Sequence, residues 1–343
     1  MTKKYPESET SQEPATAWVL TDGKAGDETQ CLAVAEALGL AAERRRVAPR
    51  APWSWIMPRL GLIDPREAPS RPGSPIAPPF PDLVIASGRR AVSYLARIKR
   101  DSGERTFTVF LKDPRTGTKA ADLIWVPEHD PLRGENVIVT ASGPHRFSQD
   151  RLAAARAAPL PDIAALPHPR VAVLVGGDSR NHRFTDGDMA ELARGLAQIA
   201  EDGAALMITA SRRTPPALAR ALRKLADSGP HVMWDGHGDN PMLDYLANAD
   251  AVVVTADSAN MVGEALASGR AVHVFHPSGG HRKFDAFLGA VSARNAVHPF
   301  PGPLKVTTCE PMDSTPVIAE AIRQRLAAHR AEIARRDGTR AGT

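Results

Sequence analysis

Asp250-Ala-Val-Val-Val-Thr-Ala-Asp-Ser-Ala-Asn-Met-Val-Gly-Glu-Ala-Leu-Ala-Ser-Gly-Arg-Ala-Val-His-Val-Phe275 is the stretch that decides the fold. Val252 to Val254 is an unbroken apolar run, the pattern of a parallel strand buried on both faces. Thr255, Asp257 and Ser258 are polar and fall where such a strand ends. Ser258 is placed to cap a helix from about Ala259 to Ala267, which Gly269 stops before a second strand, Ala271 to Phe275. In an open α/β sheet, ligands bind beyond the carboxyl ends of strands and beside helix N-termini. Glu264, one to two turns into the helix, is then within reach of a ribose.

The same alternation runs outward in both directions. Upstream, apolar runs at Val171–Val175, Ala205–Thr209 and His231–Trp234 read as strands, with helices near 187–201, 214–227 and 241–248. Further upstream, strands are expected at Thr16–Thr21, Arg45–Val47, Asp82–Ala86, Thr106–Leu111, Ile124–Val126 and Val137–Thr140. Helices are expected up to Leu38 and up to about Lys99, and residues 49–81, rich in Pro and Arg, read as irregular. Strand–loop–helix alternation implies parallel sheets. The expected architecture is α/β: two Rossmann-like domains facing a cleft, with one continuous doubly wound sheet as the alternative. The boundaries read as a disordered tail over 1–15, a first domain over 16–150, a Pro-rich linker over 151–169 and a second domain over 170–312. The last segment, 313–343, reads as carrying an amphipathic helix, about Pro316 to Arg335, with room to pack back on the first domain.

Composition narrows the function classes. A chain of 343 residues suits two domains, and 43% hydrophobic with 24% charged residues is ordinary for a globular protein. A formal charge of +4 favours anionic ligands or an acidic membrane surface, yet without aromatic-interleaved basic patches it does not point to nucleic acid. Two distant cysteines, Cys31 and Cys309, make neither a disulfide framework nor a metal site, and fit a reducing compartment. The N-terminus lacks the apolar core of a signal peptide, and no run is long enough to span a bilayer. The expected location is the cytoplasm, with room for peripheral contact at the inner face of a membrane.

The polar loops at the strand ends carry the candidate chemistry. Thr21-Asp22-Gly23-Lys24-Ala25-Gly26-Asp27 sits at the first strand-to-helix turn. Its G-x-x-G spacing is not the dinucleotide fingerprint, and without Gly-Lys-Ser/Thr it is not a P-loop, which argues against NAD and against ATP hydrolysis. Asp22 or Asp27 is suited to take a proton from a hydroxyl; a plain Asp-Gly turn with Asp27 capping the helix explains them as well. Ser87-Gly88-Arg89-Arg90 and Lys112-Asp113-Pro114-Arg115 gather cations at the same sheet edge. Gly176-Gly177-Asp178-Ser179-Arg180-Asn181-His182-Arg183 opens the second domain, and Arg180 and Arg183 suit the charge of a leaving diphosphate. Ser211-Arg212-Arg213-Thr214 adds cations, and Ser278-Gly279-Gly280 offers backbone amides to a phosphate. His273, His276 and His281 lack zinc spacing, so no metal is expected. Residues 50–62 hold two of the five tryptophans with Arg50 and Arg59. They suit a membrane surface or a lipid-bearing acceptor, although packing under the long loop is the favoured expectation.

The 250–275 segment resembles the donor-binding motif of GT-B glycosyltransferases. That resemblance implies Asp257, Ser258, Met261 and neighbouring amides facing a nucleotide diphosphate, and Glu264 facing its ribose. It implies Gly176, Gly177, Ser179, Arg180, Arg183, Ser211 and Ser278, Gly279 and Gly280 around the same donor, the loop Trp234–Asn240 near the base, and Asp22 or Asp27 as general base on the acceptor side. From Trp18 to Val291 the chain also resembles the mitochondrial fission Elm (elongated mitochondria) family. This second resemblance rests on Thr21–Asp27, Ser87–Arg90, Gly143-Pro144-His145-Arg146, Gly176–Ser179 and Thr255–Ser258 with Met261 and Glu264. Together they imply a glycosyltransferase that uses a UDP- or GDP-linked sugar as co-substrate, binds no cofactor tightly and acts on a lipid-linked or envelope glycan acceptor. The alternatives are a non-hydrolysing GT-B epimerase, for which Asp22, Asp113 and Asp178 are the available carboxylates, and a non-enzymatic membrane-associated adaptor. Oligomeric state is not legible in the sequence.

Overall fold

The computed structural model describes residues 15–341 apart from 60 and 295; the expected tail therefore lies almost wholly outside the described residues. The first sheet is built from β1 (Ala17–Thr21), β2 (Ala42–Arg46), β3 (Leu83–Ser87), β4 (Phe107–Leu111), β5 (Leu123–Pro127) and β6 (Val137–Thr140). Its strand order is β2-β1-β3-β4-β5-β6, and the pairs β1–β2, β1–β3 and β3–β4 are parallel. Among these strands lie α1 (Ala25–Ala37), the single turn α2 (Trp53–Ile56) and α3 (Ala91–Asp101). β1, β3, β4 and β5 are buried along their whole length, as their apolar runs require. β2 is the edge: its Arg44, Arg45 and Arg46 discourage pairing with another chain, and the Arg45 guanidinium lies 4.3 Å over the Trp18 ring.

After α4 (Gln149–Ala157) and α5 (Pro161–Ala164) comes the second series. It runs β7 (Arg170–Val175), β8 (His182–Arg183), α6 (Asp186–Glu201), β9 (Ala205–Ala210), α7 (Pro216–Ala226), β10 (Val232–Met233) and α8 (Met242–Asn248). It continues with β11 (Ala251–Thr255), α9 (Ala259–Leu266), β12 (Ala271–Phe275), β13 (Ser278–Gly279), α10 (Arg282–Ser292) and β14 (Val297–Phe300), before α11 (Thr315–Ala341). The second sheet has the order β10-β9-β7-β11-β12-β14, all parallel. Alternate residues of each strand feed cores on its two faces. Leu174, Val252, Val254 and Val272 join one cluster with Leu246 and Leu266; Val173, Val253 and Phe275 join another with Leu192, Leu196 and Leu222.

Contacts divide the chain into two compact units, one up to residue 124 together with residues from 319 on, the other from Trp125 to Ile318. Within the first, α11 is tied down by a bidentate Arg105–Asp337 pair, an Arg330–Asp82 pair and a His329–Phe107 ring contact. The two parallel sheets make the fold the expected α/β class. Two elements of the second sheet side, α10 and β14, were not foreseen from the sequence, and β2 begins three residues earlier than expected. The packing expected for the 50–62 segment fails at Trp55, which is 75% exposed.

Candidate functional site

Each sheet reverses its winding once. In the first the reversal lies between β1 and β3, in the second between β7 and β11; such switch points are where open α/β sheets bind ligands. At both, an aspartate after one strand is pressed against a glycine after the other. A Cβ on Gly88 would stand 2.6 Å from Asp22 Oδ1, and a Cβ on Gly176 2.1 Å from Asp257 Oδ1.

The second switch point is knitted together by Asp257. Its carboxylate accepts from Gly177 N at 3.1 Å, from Thr255 Oγ1 at 2.7 Å and from Arg213 Nη2 at 3.0 Å, while Thr255 Oγ1 accepts from Gly176 N at 2.8 Å. Arg213 is held in turn by the Asp178 carbonyl at 2.8 Å. Its own loop is a tight turn in which Ser211 Oγ accepts from Arg213 N at 3.1 Å. Asp257 thus joins the ends of β7, β9 and β11, and its side chain is wholly buried. Ser258 is the N-cap of α9, its Oγ accepting from Met261 N at 3.4 Å. Met261 and Glu264, three residues apart, share a face of that helix. Glu264 is half-buried and has no hydrogen-bond or ion-pair partner among the described residues; burial pushes its carboxyl up to about 8.

The loops flanking α9 fall into two groups. Ser278 donates through N and Oγ to Asp188, each at 3.1 Å, and Gly280 N donates to the Asn181 carbonyl at 2.8 Å. Gly279, at φ +104°, lies so close to that carbonyl that a Cβ would approach it to 2.3 Å. The Ser278 and Gly280 amides, two of those expected to face a phosphate, are therefore spent on Asp188 of α6 and on Asn181 beside β8. Asp188 serves twice, since it also completes the Thr185 capping box of α6. Arg180 and Arg183 are exposed, with Arg183 3.9 Å from Asp178. Ser179 Oγ accepts from His182 N at 3.1 Å and closes the loop on itself. Beyond β10, Trp234 Nε1 donates to the His237 carbonyl at 2.7 Å, beside an open cavity of about 890 Å³ lined by Arg212, Arg220 and Arg223.

In the first unit the two acids expected to act as base differ sharply. Asp27 lies in the first turn of α1, buried and ion-paired to Lys112 Nζ at 2.5 Å. It does not cap the helix: the N-cap position is Lys24 and makes no side-chain cap bond. The Asp22 side chain is 5% exposed, its Oδ2 is 3.9 Å from Lys24 Nζ, and its Oδ1 is buried without a hydrogen-bond partner. Arg89 reaches away from this point and donates to the Ser54 carbonyl at 3.2 Å. Two residues that the sequence reading passed over also face a site: His129, after β5, and Lys283, at the start of α10. For His129 the signal was present, because it follows a buried strand as Asp22 and Asp257 do. No group of metal-ligating side chains occurs among the described residues.

A family model described as mitochondrial fission ELM1 matches residues 25–326. The chain belongs to that family. It is 30% identical over 275 residues to mitochondrial fission protein ELM1 of Arabidopsis thaliana, covering 72% of this chain and 64% of the plant protein. It is 27% identical over 233 residues to an uncharacterized protein of Rickettsia prowazekii, covering 57% of this chain and 65% of that one. The chain thus spans less than two thirds of the length of these curated relatives. Among solved structures, the spinosyn forosaminyltransferase SpnP superposes with a TM-score of 0.51 at 14% identity, over 94% of this chain and 95% of the other. A Listeria monocytogenes protein assigned as a UDP-N-acetylglucosamine 2-epimerase does so with a TM-score of 0.50 at 10% identity, over 93% and 91%. At such identities the likeness establishes the GT-B-like fold of this ELM1 family member and nothing finer. No helix among the described residues is long and apolar enough to cross a membrane.

Proposed function

We propose that this protein is a glycosyltransferase that takes a nucleotide-diphosphate sugar, UDP- or GDP-linked, at the second switch point. The observation that carries the reading is Glu264: a carboxyl without a protein partner, on the same helix face as Met261, following a Ser258-capped N-terminus. A helix N-terminus attracts a diphosphate, and an unpaired carboxyl one to two turns further along suits the paired hydroxyls of a ribose. Asp257 then acts as the clamp that shapes the floor of the site, with Gly176 and Gly177 letting backbone approach closely. Arg180 and Arg183, being exposed and cationic, suit the diphosphate, and the cavity beside Trp234 suits the base. Asp22 is the preferred general base, since its Oδ1 has no hydrogen-bond partner whereas Asp27 is ion-paired to Lys112. The acceptor is proposed to be lipid-linked or an envelope glycan, in keeping with exposed Trp55 between Arg50 and Arg59.

Thermal unfolding with UDP, GDP, ADP, CMP and TDP tests the reading. A nucleotide present at 100 times its dissociation constant stabilises the native state by about 2.7 kcal/mol. One nucleotide is expected to raise Tm in the wild type and lose most of that effect in Glu264→Gln. No shift with any of the five sinks the proposal. With the matching sugar donor, release of free nucleotide only when an acceptor is added marks transfer, and conversion of the sugar without release marks an epimerase instead.

A further inference from the structure

A second, smaller cavity of about 260 Å³ lies within the unit Trp125–Ile318. Pockets that enclose a drug-sized ligand run to roughly 300–1,000 Å³, so this one suits the end of a molecule. Its walls are His129 after β5, Asn181 in the loop after β7, His182 at the start of β8, and Lys283, Phe284 and Phe287 on α10. Both imidazoles are held edge-on by phenylalanines, His129 by Phe287 at 5.9 Å and His182 by Phe284 at 5.7 Å between ring centroids. Their orientation is therefore set by packing.

His129 Nδ1 is shielded from solvent and has no hydrogen-bond partner. As an N–H it is an orphan donor and as a bare nitrogen an orphan acceptor, so in either tautomer this nitrogen is unsatisfied by the protein's own groups. Lys283 is half-exposed and its ammonium is bonded to the buried Asp130. An ammonium has three donors, and Asp130 engages one. The carboxylate among the lining residues, Asp257, is already bonded to Arg213, Gly177 N and Thr255. The cavity thus presents donors and no uncompensated negative charge.

We propose that this cavity is a phosphate-binding pocket, in which Lys283 supplies the charge and His129 the hydrogen bond that closes on a phosphate oxygen. The proposal rests on the nucleotide-diphosphate reading for the identity of its natural ligand, the sugar-side phosphate of the donor. It does not rest on that reading for its chemistry, since ammonium, imidazole and amide recognise a phosphate whatever carries it.

Isothermal titration with inorganic pyrophosphate, UDP and uridine tests it. The variants are His129→Asn and the double change Lys283→Met with Asp130→Asn, which leaves no buried carboxylate stranded; each is checked for an unchanged unfolding profile. The wild type is expected to bind pyrophosphate and UDP more tightly than uridine. A lost charge-assisted bond should weaken both phosphate ligands by about tenfold or more in the double variant and several-fold in His129→Asn. Glu264→Gln should weaken UDP and leave pyrophosphate unchanged. No binding of pyrophosphate by the wild type overturns the proposal. So does UDP binding that depends on Glu264 but is indifferent to Lys283 and His129, an outcome that leaves the nucleotide-sugar reading standing. Pyrophosphate binding that needs Lys283 while no nucleotide binds supports the pocket and overturns that reading instead.

Discussion

The two switch points use one device to opposite ends. Each presses an aspartate at the carboxyl end of one strand against a glycine at the end of its neighbour, Asp22 on Gly88 and Asp257 on Gly176. Asp257 has both oxygens engaged, by two backbone or hydroxyl donors and a guanidinium. Asp22 has one oxygen buried without a donor and the other 3.9 Å from a lysine that is itself mostly exposed. A buried carboxylate with its bonds made is a fastener. A buried carboxylate lacking one costs stability, and such costs persist mainly where the unpaired atom has work to do. The glycines are alike in kind: neither position has room for a Cβ, so both aspartates are fixed from behind.

Substitutions on the fastened side should hurt most. In Gly177→Ala the new Cβ would stand 2.0 Å from the Arg213 carbonyl oxygen, a backbone atom that cannot swing aside. The expected loss is about 3 kcal/mol, the upper end of overpacking costs, read as a fall in Tm of about 6–12 °C for a domain of this size. Next comes the direct contrast. Asp257→Ala strands the Gly177 amide and the Thr255 hydroxyl, and should cost about 2–3 kcal/mol in chemical denaturation. Asp22→Ala strands no donor, and should lie within about 0.5 kcal/mol of the wild type while abolishing acceptor-dependent nucleotide release. Equal stability losses in the two variants would show that the switch points are not built differently.

How much of this was legible follows from where each signal lives. Strand existence lies in local composition, so Val252–Val254 and Leu83–Ala86 announced themselves, and Ser258 was recognisable as a cap from its place before an apolar-periodic run. β14 was hidden because Val297-His-Pro-Phe300 contains a proline, which an edge strand tolerates and a central one does not; only the finished sheet reveals that β14 is an edge. α10 was hidden behind the His276–Gly280 run, whose glycines read as loop. The chemistry of Ser278–Gly280 was legible as a set of free amides, yet the groups that consume them, Asp188 and the Asn181 carbonyl, lie about ninety residues away in the chain. Asp22 and Asp27 looked equivalent as sequence. Lys112, brought to Asp27 by β4, is what separates them.

A pH-dependent effect concerns Glu264, which extends the comparison from bonds to protons. Like Asp22 Oδ1 its carboxyl has no hydrogen-bond partner, and burial raises it to about 8 from the ordinary value of 4.5. Between those two values the folded protein holds a proton that the unfolded chain releases, so stability falls as pH rises across the window and is level outside it. Glu264→Gln keeps the shape and removes the titration. The variant and the wild type should therefore unfold together below about pH 4.5. The variant should gain steadily above it and level off past about pH 8. Because Glu264 is only half-buried, water screens part of the penalty, and a separation on the order of 1 kcal/mol corresponds to about 2–4 °C in Tm. Taking the difference between the two proteins at each pH cancels every other titrating group. A separation constant from pH 4 to pH 9 would mean that the carboxyl is ionised and solvated in the folded protein, and with it would go the argument that this side chain waits in a dry site for a ribose.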